Sequence, residues 1–330
     1  LRYIKAHSER LGDKHVTDEA RKELVYADVS SMYQYCMRNH SFPVGEYEMI
    51  KDVGVFNVNR SFTDEDDYSY LVNVDLIYPD SIKKWSEDFP FVPEKVHLDK
   101  DKIGEIQQDV LLACQPSSDQ PSVHSILLTQ FDKKGVLLHI QMLKWYLAQG
   151  MVLDKINYLI RFRQKPFLKN FIDKNLDIRN SASSKIEKQL SKGIGNQLFG
   201  KFFGGSQRIG IKFCGEEKNF KKLAARHNFE NCVIMNPNLC MMFFKKGRRL
   251  FNRNILVAFC ILEFYRLRFY DLIYSLKWYF GDRLYIAATE VDSIVCSIKD
   301  PNRSFVDDLL YLESEEYFDL STLHPSDEMY

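Results

Sequence analysis

The sequence predicts an α+β fold, and three stretches carry that prediction. Leu284–Ile298 is apolar, then acidic, then apolar again, and its apolar parts are rich in β-forming residues, which is typical of a β-hairpin. Residues 188–199 place polar and aromatic side chains at three- and four-residue steps, as a helix does. Residues 255–280 are mostly apolar but interrupted by charges, which favours a long, partly buried helix over a membrane span.

The composition is that of a globular protein. The chain has 330 residues, of which 45% are hydrophobic and 27% charged, enough for one large domain or two to three subdomains. The formal net charge is +0, so the composition as a whole does not indicate a nucleic-acid binder. The 7 cysteines are scattered and form no Cys-x-x-Cys pair, which argues against a zinc site or a disulfide framework. Such a set fits a reducing, intracellular compartment.

The first predicted strand is Leu24–Asp28, which ends on an aspartate. A short helix follows, and we expect Ser30 or Ser31 to cap it. An aspartate at a strand end, directly before a helix start, offers one metal ligand beside backbone N–H groups that suit a phosphate.

The middle of the chain alternates short elements. Leu71–Ile77 is predicted to be a strand, Leu127–Phe131 and Val136–Ile140 a hairpin, and Gln141–Gly150 a helix that the glycine ends. After Pro166 one helix is predicted to begin, and a second runs from about Ala182 to Phe203. Together the two helices would form an antiparallel pair.

The zero net charge hides a strong asymmetry. Lys185–Arg253 holds 15 Lys and Arg against 4 Asp and Glu, whereas Asp300–Tyr330 holds one Arg against nine Asp and Glu. Phenylalanines are interleaved with the basic residues, which fits a surface that follows a phosphate backbone. A merely solvated basic face is the alternative interpretation.

The tip of the predicted hairpin carries two carboxylates, Glu290 and Asp292. If the strand continues through them, both lie on the same side of it. Two such carboxylates repel each other unless a cation lies between them, so a divalent metal ion is one interpretation and a solvated acidic tip is the other.

Three stretches, in this order, resemble the polymerase motifs of family B DNA polymerases. The motif Asp-x-x-Ser-Leu-Tyr-Pro resembles the run made by Asp28, Ser31, Met32, Tyr33 and Gln34. The motif Lys-x-x-x-Asn-Ser-x-Tyr-Gly resembles the run made by Lys192, Asn196, Gln197, Phe199 and Gly200. The motif Tyr-x-Asp-Thr-Asp-Ser resembles Ala288–Ser293. Residues 70–79, 88–95 and 317–321, with the segment at Pro325, resemble the protein-primed branch of that family, which is found in phages, adenoviruses and self-synthesising (Polinton or Maverick) transposons. They look most like the transposon type.

The resemblance implies a fold and a domain order. The fold would be a palm, an antiparallel sheet with packed helices, together with helical fingers and an inserted subdomain. The palm would comprise residues 1–40 and 254–330, the inserted terminal-protein-region-like subdomain 41–165, the fingers 166–203 and a second, basic insertion 204–253. No exonuclease or thumb is expected, because Leu1–Glu23 is too short for the first and no Lys-x-Tyr follows the third motif.

The resemblance also implies an activity and its partners. The chain would be a DNA-directed DNA polymerase that adds deoxynucleotides to a primer end with two Mg²⁺ ions, for which Mn²⁺ can substitute. Its partners would be primer-template DNA, deoxynucleoside triphosphates and a terminal priming protein, with no membrane. It would replicate a viral or transposon genome in the nucleus or cytoplasm of a host.

Site residues carry over from the motifs. The resemblance implies a catalytic set of Asp28, Asp292, Glu290 and Lys192, and metal ligands at Asp28, Asp292 and the carbonyl of Val29. The implied nucleotide-binding residues are Val29, Ser30, Ser31, Met32, Tyr33, Arg179, Lys188, Lys192, Asn196 and Phe199. The implied DNA-binding residues are Gly200, Lys201, Arg208, Lys245, Lys246, Arg248 and Arg249.

Several positions depart from the family pattern. Gln34 replaces proline, Gln197 replaces serine, Phe199 replaces tyrosine, and Glu290-Val291 replaces Asp-Thr. Glu290 keeps the charge on a longer side chain, so the departure concerns the geometry of the site. A catalytically degenerate remnant that binds nucleic acid is therefore the alternative function, and an unrelated α+β scaffold is a third.

Overall fold

The computed structural model describes residues 21–29, 31–98, 123–203, 209–245, 254–302 and 304–314. The strands in these ranges are β1 Lys22–Asp28, β2 Phe42–Ile50, β3 Tyr68–Ile77, β4 Glu94–Leu98, β5 Val123–Leu127, β6 Lys133–His139, β7 Val152–Lys165, β8 Ile209–Cys214, β9 Phe229–Asn236, β10 Leu239–Lys245, β11 Leu284–Glu290 and β12 Ser293–Lys299. The α-helices are α1 Met32–Asn39, α2 Asp80–Ser86, α3 Ile140–Ala148, α4 Lys169–Ser181, α5 Lys185–Phe203, α6 Glu217–Ala224, α7 Ile255–Phe280 and α8 Phe305–Ser314.

The strands of the described residues form antiparallel sheets with the orders β1-β12-β11, β2-β7-β3-β6, β8-β10-β9 and β4-β5. Helices are interspersed with these strands along the chain, and the strand pairings are antiparallel, which confirms the predicted α+β fold. The chain divides into two compact units. The first is Leu1–Pro166 with Glu263–Tyr330, and the second is Phe167–Leu262. The finer division into palm, inserted subdomain and fingers stays a prediction.

Helix α7 begins and ends at residues that suit its termini. The side-chain oxygen of Asn254 accepts from the backbone N–H of Val257 at 3.4 Å, as an N-cap residue does. The helix stops before Gly281, whose φ of 53° is in the left-handed region that favours glycine. Among the described residues, α7 included, we find no helix whose length and apolar character would suit a bilayer.

In the first unit, α7 contributes rings to an aromatic core. Tyr270 and Tyr274 are buried, and their hydroxyls donate to the backbone carbonyls of Pro90 and Phe89, each at 2.7 Å. Phe91 packs against both tyrosine rings. Tyr270 and Tyr274 therefore serve as core residues whose hydroxyls are satisfied by hydrogen bonds.

The predicted hairpin of Leu127–Phe131 with Val136–Ile140 is wrong. Strand β6 pairs with β3, and β5 pairs with β4. The segment between β5 and the middle of β6 is held by hydrogen bonds to residues near the end of β3 and just after it. The carboxylate of Asp132 accepts from the N–H of Tyr78 at 2.8 Å, and the N–H of Gly135 donates to Asp75 at 2.7 Å.

The β1-β12-β11 sheet is anchored at the end opposite to its hairpin tip. Buried Asp300 follows β12 and receives hydrogen bonds from the guanidinium of Arg21, at 3.3 Å, and from the N–H of Ser304, at 2.7 Å. The second bond holds the start of α8. The end of the β1–β12 pairing at Lys22 and Lys299 is thereby fixed in place.

The second unit contains a helical pair and a small sheet. Helices α4 and α5 are joined where Asn175 donates to the carbonyl of Ser191 at 3.0 Å and the hydroxyl of Ser191 donates back to the carbonyl of Asn175 at 2.8 Å. Both residues are buried. The β8-β10-β9 sheet packs its apolar face, centred on Met242, against residues of α6 such as Phe220.

Candidate functional site

Two aspartates from distant parts of the chain meet at one end of the β1-β12-β11 sheet. Strand β1 pairs with β12 so that Asp28 lies opposite Ser293, the first residue of β12. The pairing extends one step further, because the N–H of Val29 donates to the carbonyl of Asp292 at 2.8 Å. Neighbouring strands lie about 4.8 Å apart, so the backbones at Asp28 and Asp292 are close neighbours. Asp28 is exposed and Asp292 is half-buried, so both carboxylates are open to a ligand.

The hairpin that carries Asp292 turns more tightly than the sequence suggested. Glu290 pairs directly with Ser293, so Val291 and Asp292 form a two-residue turn. Val291 has a φ of 51°, which is unusual for a β-branched residue. The hydroxyl of Ser293 donates to the carbonyl of Glu290 at 3.0 Å and closes the turn. The strand therefore does not continue through the acidic pair, and the condition for placing Glu290 and Asp292 on one side of it is not met.

The third predicted acid, Glu290, lies on a different strand from Asp28. Over the described part of the chain, no group of three or more His, Cys, Asp or Glu side chains is arranged to hold a metal ion. Glu290 ends β11, on the opposite side of β12 from Asp28. Its place in the sheet thus differs from that of the two aspartates.

The start of α1 differs from the prediction in one respect. Ser31 occupies the N-cap position, but with φ 54° and ψ 40° its side chain makes no capping hydrogen bond. Its carbonyl instead accepts the first helical bond, from the N–H of Tyr35 at 3.0 Å. The predicted hydroxyl cap at Ser31 is therefore wrong, and Ser30 lies outside the described residues. Met32 is buried in the core, so only its backbone could contact a ligand.

Tyr33 lies near Asp292. Burial, the negative charge of Asp292 and the Cys36 thiol raise the pKa of its phenol above the usual value. Its ring stacks on that of Tyr265 in α7, with centroids 5.0 Å apart and an interplanar angle of 14°. Burial and then the neighbouring Tyr33 and Asp292 raise the pKa of Tyr265 as well. Both tyrosines are therefore neutral over the physiological pH range.

Tyr265 was missed by the sequence interpretation. The helix that carries it was expected, but a helical pattern does not say which of its rings meets α1. The ring that meets α1 is decided by how α1 and α7, which are far apart in sequence, pack against each other. One local signal exists, since Tyr265 and Phe269 are aromatic residues one helical turn apart.

The remaining predicted site residues belong to the second unit. Lys188, Lys192 and Asn196 are exposed along α5, and the buried Ser191 marks the face that packs on α4. Phe199 is half-buried and its ring stacks on Phe203 at 6.1 Å. The other members of this group are Arg179 in the last turn of α4, exposed Gly200 and Lys201 in α5, and exposed Lys245 at the end of β10.

The helical steps predicted for residues 188–199 thus appear in α5. The roles of these side chains stay predictions. Four predicted DNA-binding residues lie outside the described residues, namely Arg208, Lys246, Arg248 and Arg249.

Comparison with solved structures finds phi29 DNA polymerase. The chain is 14% identical to the orthorhombic crystal form, with a TM-score of 0.46, and the match covers 84% of this chain and 39% of that one. For the ternary complex with primer-template DNA and incoming nucleotides, identity is 14%, the TM-score is 0.47 and the coverage is 84% and 39%. For the complex with single-stranded DNA the values are 17%, 0.45, 84% and 38%. The chain thus spans about two fifths of the length of these polymerases.

No curated protein matches the chain at a significant level. A family model does match, and it covers residues 10–240 of the 330. That model describes type B DNA polymerases of organellar and viral origin. Its match includes the first two of the three motifs noted in the sequence. The chain therefore belongs to the organellar and viral family of type B DNA polymerases.

Proposed function

We propose that this chain is the palm-and-fingers portion of a DNA-directed DNA polymerase that adds deoxynucleotides to a primer end. The observation that supports this most is the pairing of β1 with β12, which brings Asp28 and Asp292 to one sheet end although they lie far apart in sequence. Tyr33, near Asp292, is a suitable surface for the sugar of an incoming nucleotide.

The donor set at this sheet end suits Mg²⁺. Mg²⁺ is a hard cation that proteins commonly bind through one or two carboxylates together with substrate phosphates, so two aspartates are sufficient. Asp28, Asp292 and the carbonyl of Val29 would hold the ions. The hydrogen bond from the N–H of Val29 to the carbonyl of Asp292 keeps the two strand ends together. When bound, two such ions stabilise the attacking and the leaving oxygens of an in-line displacement at phosphorus.

The chain's own residues would do the rest of the work by binding and orientation. Backbone N–H groups from Ser30 to Met32 would hold the triphosphate next to the start of α1. Lys188 and Lys192, with Arg179 and Asn196, would neutralise and orient its negative charge. Phe199 would pack against the nascent base pair, and the ring of Tyr33 would lie under the sugar and leave no room for a ribose 2′-hydroxyl.

We further propose protein-primed replication, with residues 41–165 as the region that contacts a terminal priming protein. The support is the resemblance of residues 70–79 and 88–95 to that branch of the family. Gly200, Lys201 and Lys245, together with Arg208, Lys246, Arg248 and Arg249, would contact DNA phosphates.

A second candidate is a catalytically degenerate polymerase that binds nucleic acid. The observation that favours it is Glu290, which stands where the family has aspartate and lies across β12 from Asp28. If the longer side chain crowds the primer end, binding would survive while transfer would not.

Primer extension by the purified chain distinguishes the two candidates. We expect slow extension with Mg²⁺ and faster extension with Mn²⁺, whose coordination demands are looser. Asp28→Asn and Asp292→Asn should each abolish it, and Asp282→Asn, an exposed acid just before β11, is the matched control that should not. Full activity in Asp292→Asn would overturn the site assignment. If neither the wild type nor Glu290→Asp extends the primer with either metal, the degenerate polymerase is the candidate that the result supports.

A further inference from the structure

Three aromatic rings form a column between α1 and α7. Tyr33 stacks on Tyr265 at 5.0 Å and 14°, and Tyr265 stacks on Phe269 at 6.3 Å and again 14°. Phe269 is buried, whereas Tyr265 and Tyr33 are half-buried. Tyr33 is therefore the outer end of a column whose inner end is fixed in the core.

The turn of α7 that carries Tyr265 is held on both sides. Glu263 accepts from the N–H of His139 at 2.9 Å and from the guanidinium of Arg266 at 2.6 Å. The ring of Phe264 lies flat against that of His40, with centroids 4.0 Å apart and an interplanar angle of 1°. Tyr33 near the start of α1 and His40 directly after its end thus both contact α7.

A ring that excludes a 2′-hydroxyl must be rigid. The hydroxyl is small, so a ring that can rotate away by a fraction of an ångström no longer excludes it. Side chains that select substrates are accordingly held by neighbours whose own positions are locked by packing and hydrogen bonds. The ring of Tyr265 is held by its stacking on the buried Phe269, and it covers one face of the ring of Tyr33.

We propose that Tyr265 is a positioning residue for sugar selection: it fixes the ring of Tyr33 and thereby sharpens the preference for deoxyribonucleotides. This inference rests on the proposed function of Tyr33 as the sugar-selecting ring. Tyr265 acts through Tyr33 and needs no contact with the nucleotide. Its ring, rather than its hydroxyl, provides the effect.

The test is the ratio of the dissociation constants of ATP and dATP, measured with Mg²⁺ and a primer-template whose primer ends in a dideoxynucleotide. This readout requires no catalysis. Tyr265→Ala should lower the ratio about two- to tenfold, the value of one aromatic stack. The change should come mainly from tighter binding of ATP. Tyr265→Phe, which keeps the ring, should retain the wild-type ratio.

Two further variants separate positioning from general destabilisation. In a Tyr33→Ala background, Tyr265→Ala should not lower the ATP to dATP ratio any further, because its effect passes through the ring of Tyr33, which is absent there. Tyr311→Ala is the matched control, since Tyr311 stacks on Tyr279 at 5.3 Å and 10° elsewhere in the same unit. It should leave the ratio unchanged.

The outcomes distinguish this inference from the proposed function. An unchanged ratio in Tyr265→Ala, an equal effect in the Tyr33→Ala background, or an equal effect from Tyr311→Ala would each overturn the role of Tyr265. A wild type that binds ATP and dATP equally would overturn the role of Tyr33 and this inference with it. A wild type that extends no primer but shows the expected ratios would contradict the proposed catalysis and support the role of Tyr265.

Discussion

At the scale of single residues, Asp292 and Glu290 differ more in position than in charge. Asp292 lies in a two-residue turn. Its carbonyl accepts a hydrogen bond from the N–H of Val29, which ties it to the end of β1 beside Asp28. Glu290 is the last residue of β11 and pairs with Ser293. Charge at both positions was evident from the sequence. Their different relations to β1 were not, because they arise from a turn at Val291, a residue with no turn preference.

Shortening Glu290 should increase the rate of primer extension. One extra methylene can displace a carboxylate by about 1 Å, and a displacement of that size near the reacting atoms can cost about a hundredfold in rate. Glu290→Asp should therefore raise the single-turnover rate by between a few fold and about a hundredfold. Glu290→Gln provides the comparison without the charge. A slower Glu290→Asp variant would show that the site is built around the longer side chain.

His139 should make the first unit less stable in acid. Burial lowers the pKa of its imidazole to about 3; the nearby Asp64 carboxylate opposes this shift, and His40 adds to it. Its Nδ1 accepts from the N–H of Gln141 at 3.4 Å, and its Nε2 lies 3.1 Å from the hydroxyl of Ser69. A proton on Nδ1 would break the first of these bonds, so the folded state keeps the ring neutral.

The sign follows from comparing the two states. The unfolded chain binds this proton near pH 6.5, and the folded chain binds it only near pH 3. Between these values the unfolded state binds more protons, so stability falls as the pH falls. The free energy of unfolding should drop by about 1.4 kcal/mol per pH unit from this group, measured by urea denaturation between pH 6 and 4. His139→Gln should remove that slope, and parallel slopes in both proteins would contradict the assignment.

At the scale of elements, local patterns predicted helices and the hairpin better than strand partners. Leu284–Ile298 alternates β-formers around an acidic turn and forms β11 and β12, and Gly150 ends α3 as expected. The pairing of β5 with β4 and β6 with β3 was not predicted. The start of β6 is held by Asp75 and Asp132, which bind backbone N–H groups across the fold and have no distinctive local pattern.

Two glycines should respond oppositely to the same substitution. Gly150 has a φ of 99°, and an added Cβ would lie 2.8 Å from the Cγ2 of Ile82. Gly150→Ala should cost about 1–3 kcal/mol. Gly193 lies within α5 and an added Cβ would meet nothing within 4 Å, so Gly193→Ala should stabilise its helix by about 0.5–1 kcal/mol. Melting temperatures measure both, and a shift of the same sign in the two variants would contradict the argument.

At the scale of the whole molecule, the zero net charge conceals a basic segment of 15 Lys and Arg against 4 Asp and Glu in Lys185–Arg253. This segment lies within the second unit, and its lysines on α5 are exposed. The charge asymmetry could be counted from the sequence alone. Which cations share a surface depends on how helices and strands pack, and a count of charges does not give that packing.

Binding of DNA should depend steeply on salt. Each phosphate neutralised releases condensed counterions, so the logarithm of the binding constant should fall linearly with the logarithm of salt concentration, by about 0.9 per contact. Lys201→Gln should reduce that slope by about one contact, with little change in sequence preference. Lys84→Gln removes an exposed lysine of α2 in the first unit. It is the matched control and should leave the slope unchanged. A flat salt response in the wild type would indicate a protein partner for this segment instead.

We expect Asp28 and Asp292 to form one divalent-ion site. The most direct test is to titrate the chain with Mn²⁺ and to follow the free ion by electron paramagnetic resonance. The wild type should bind an equivalent of Mn²⁺ that Asp28→Asn and Asp292→Asn each lose, because both carboxylates belong to the same site at the paired ends of β1 and β12. Asp282→Asn should keep it. Retention of that equivalent in either Asp28→Asn or Asp292→Asn would contradict a shared site.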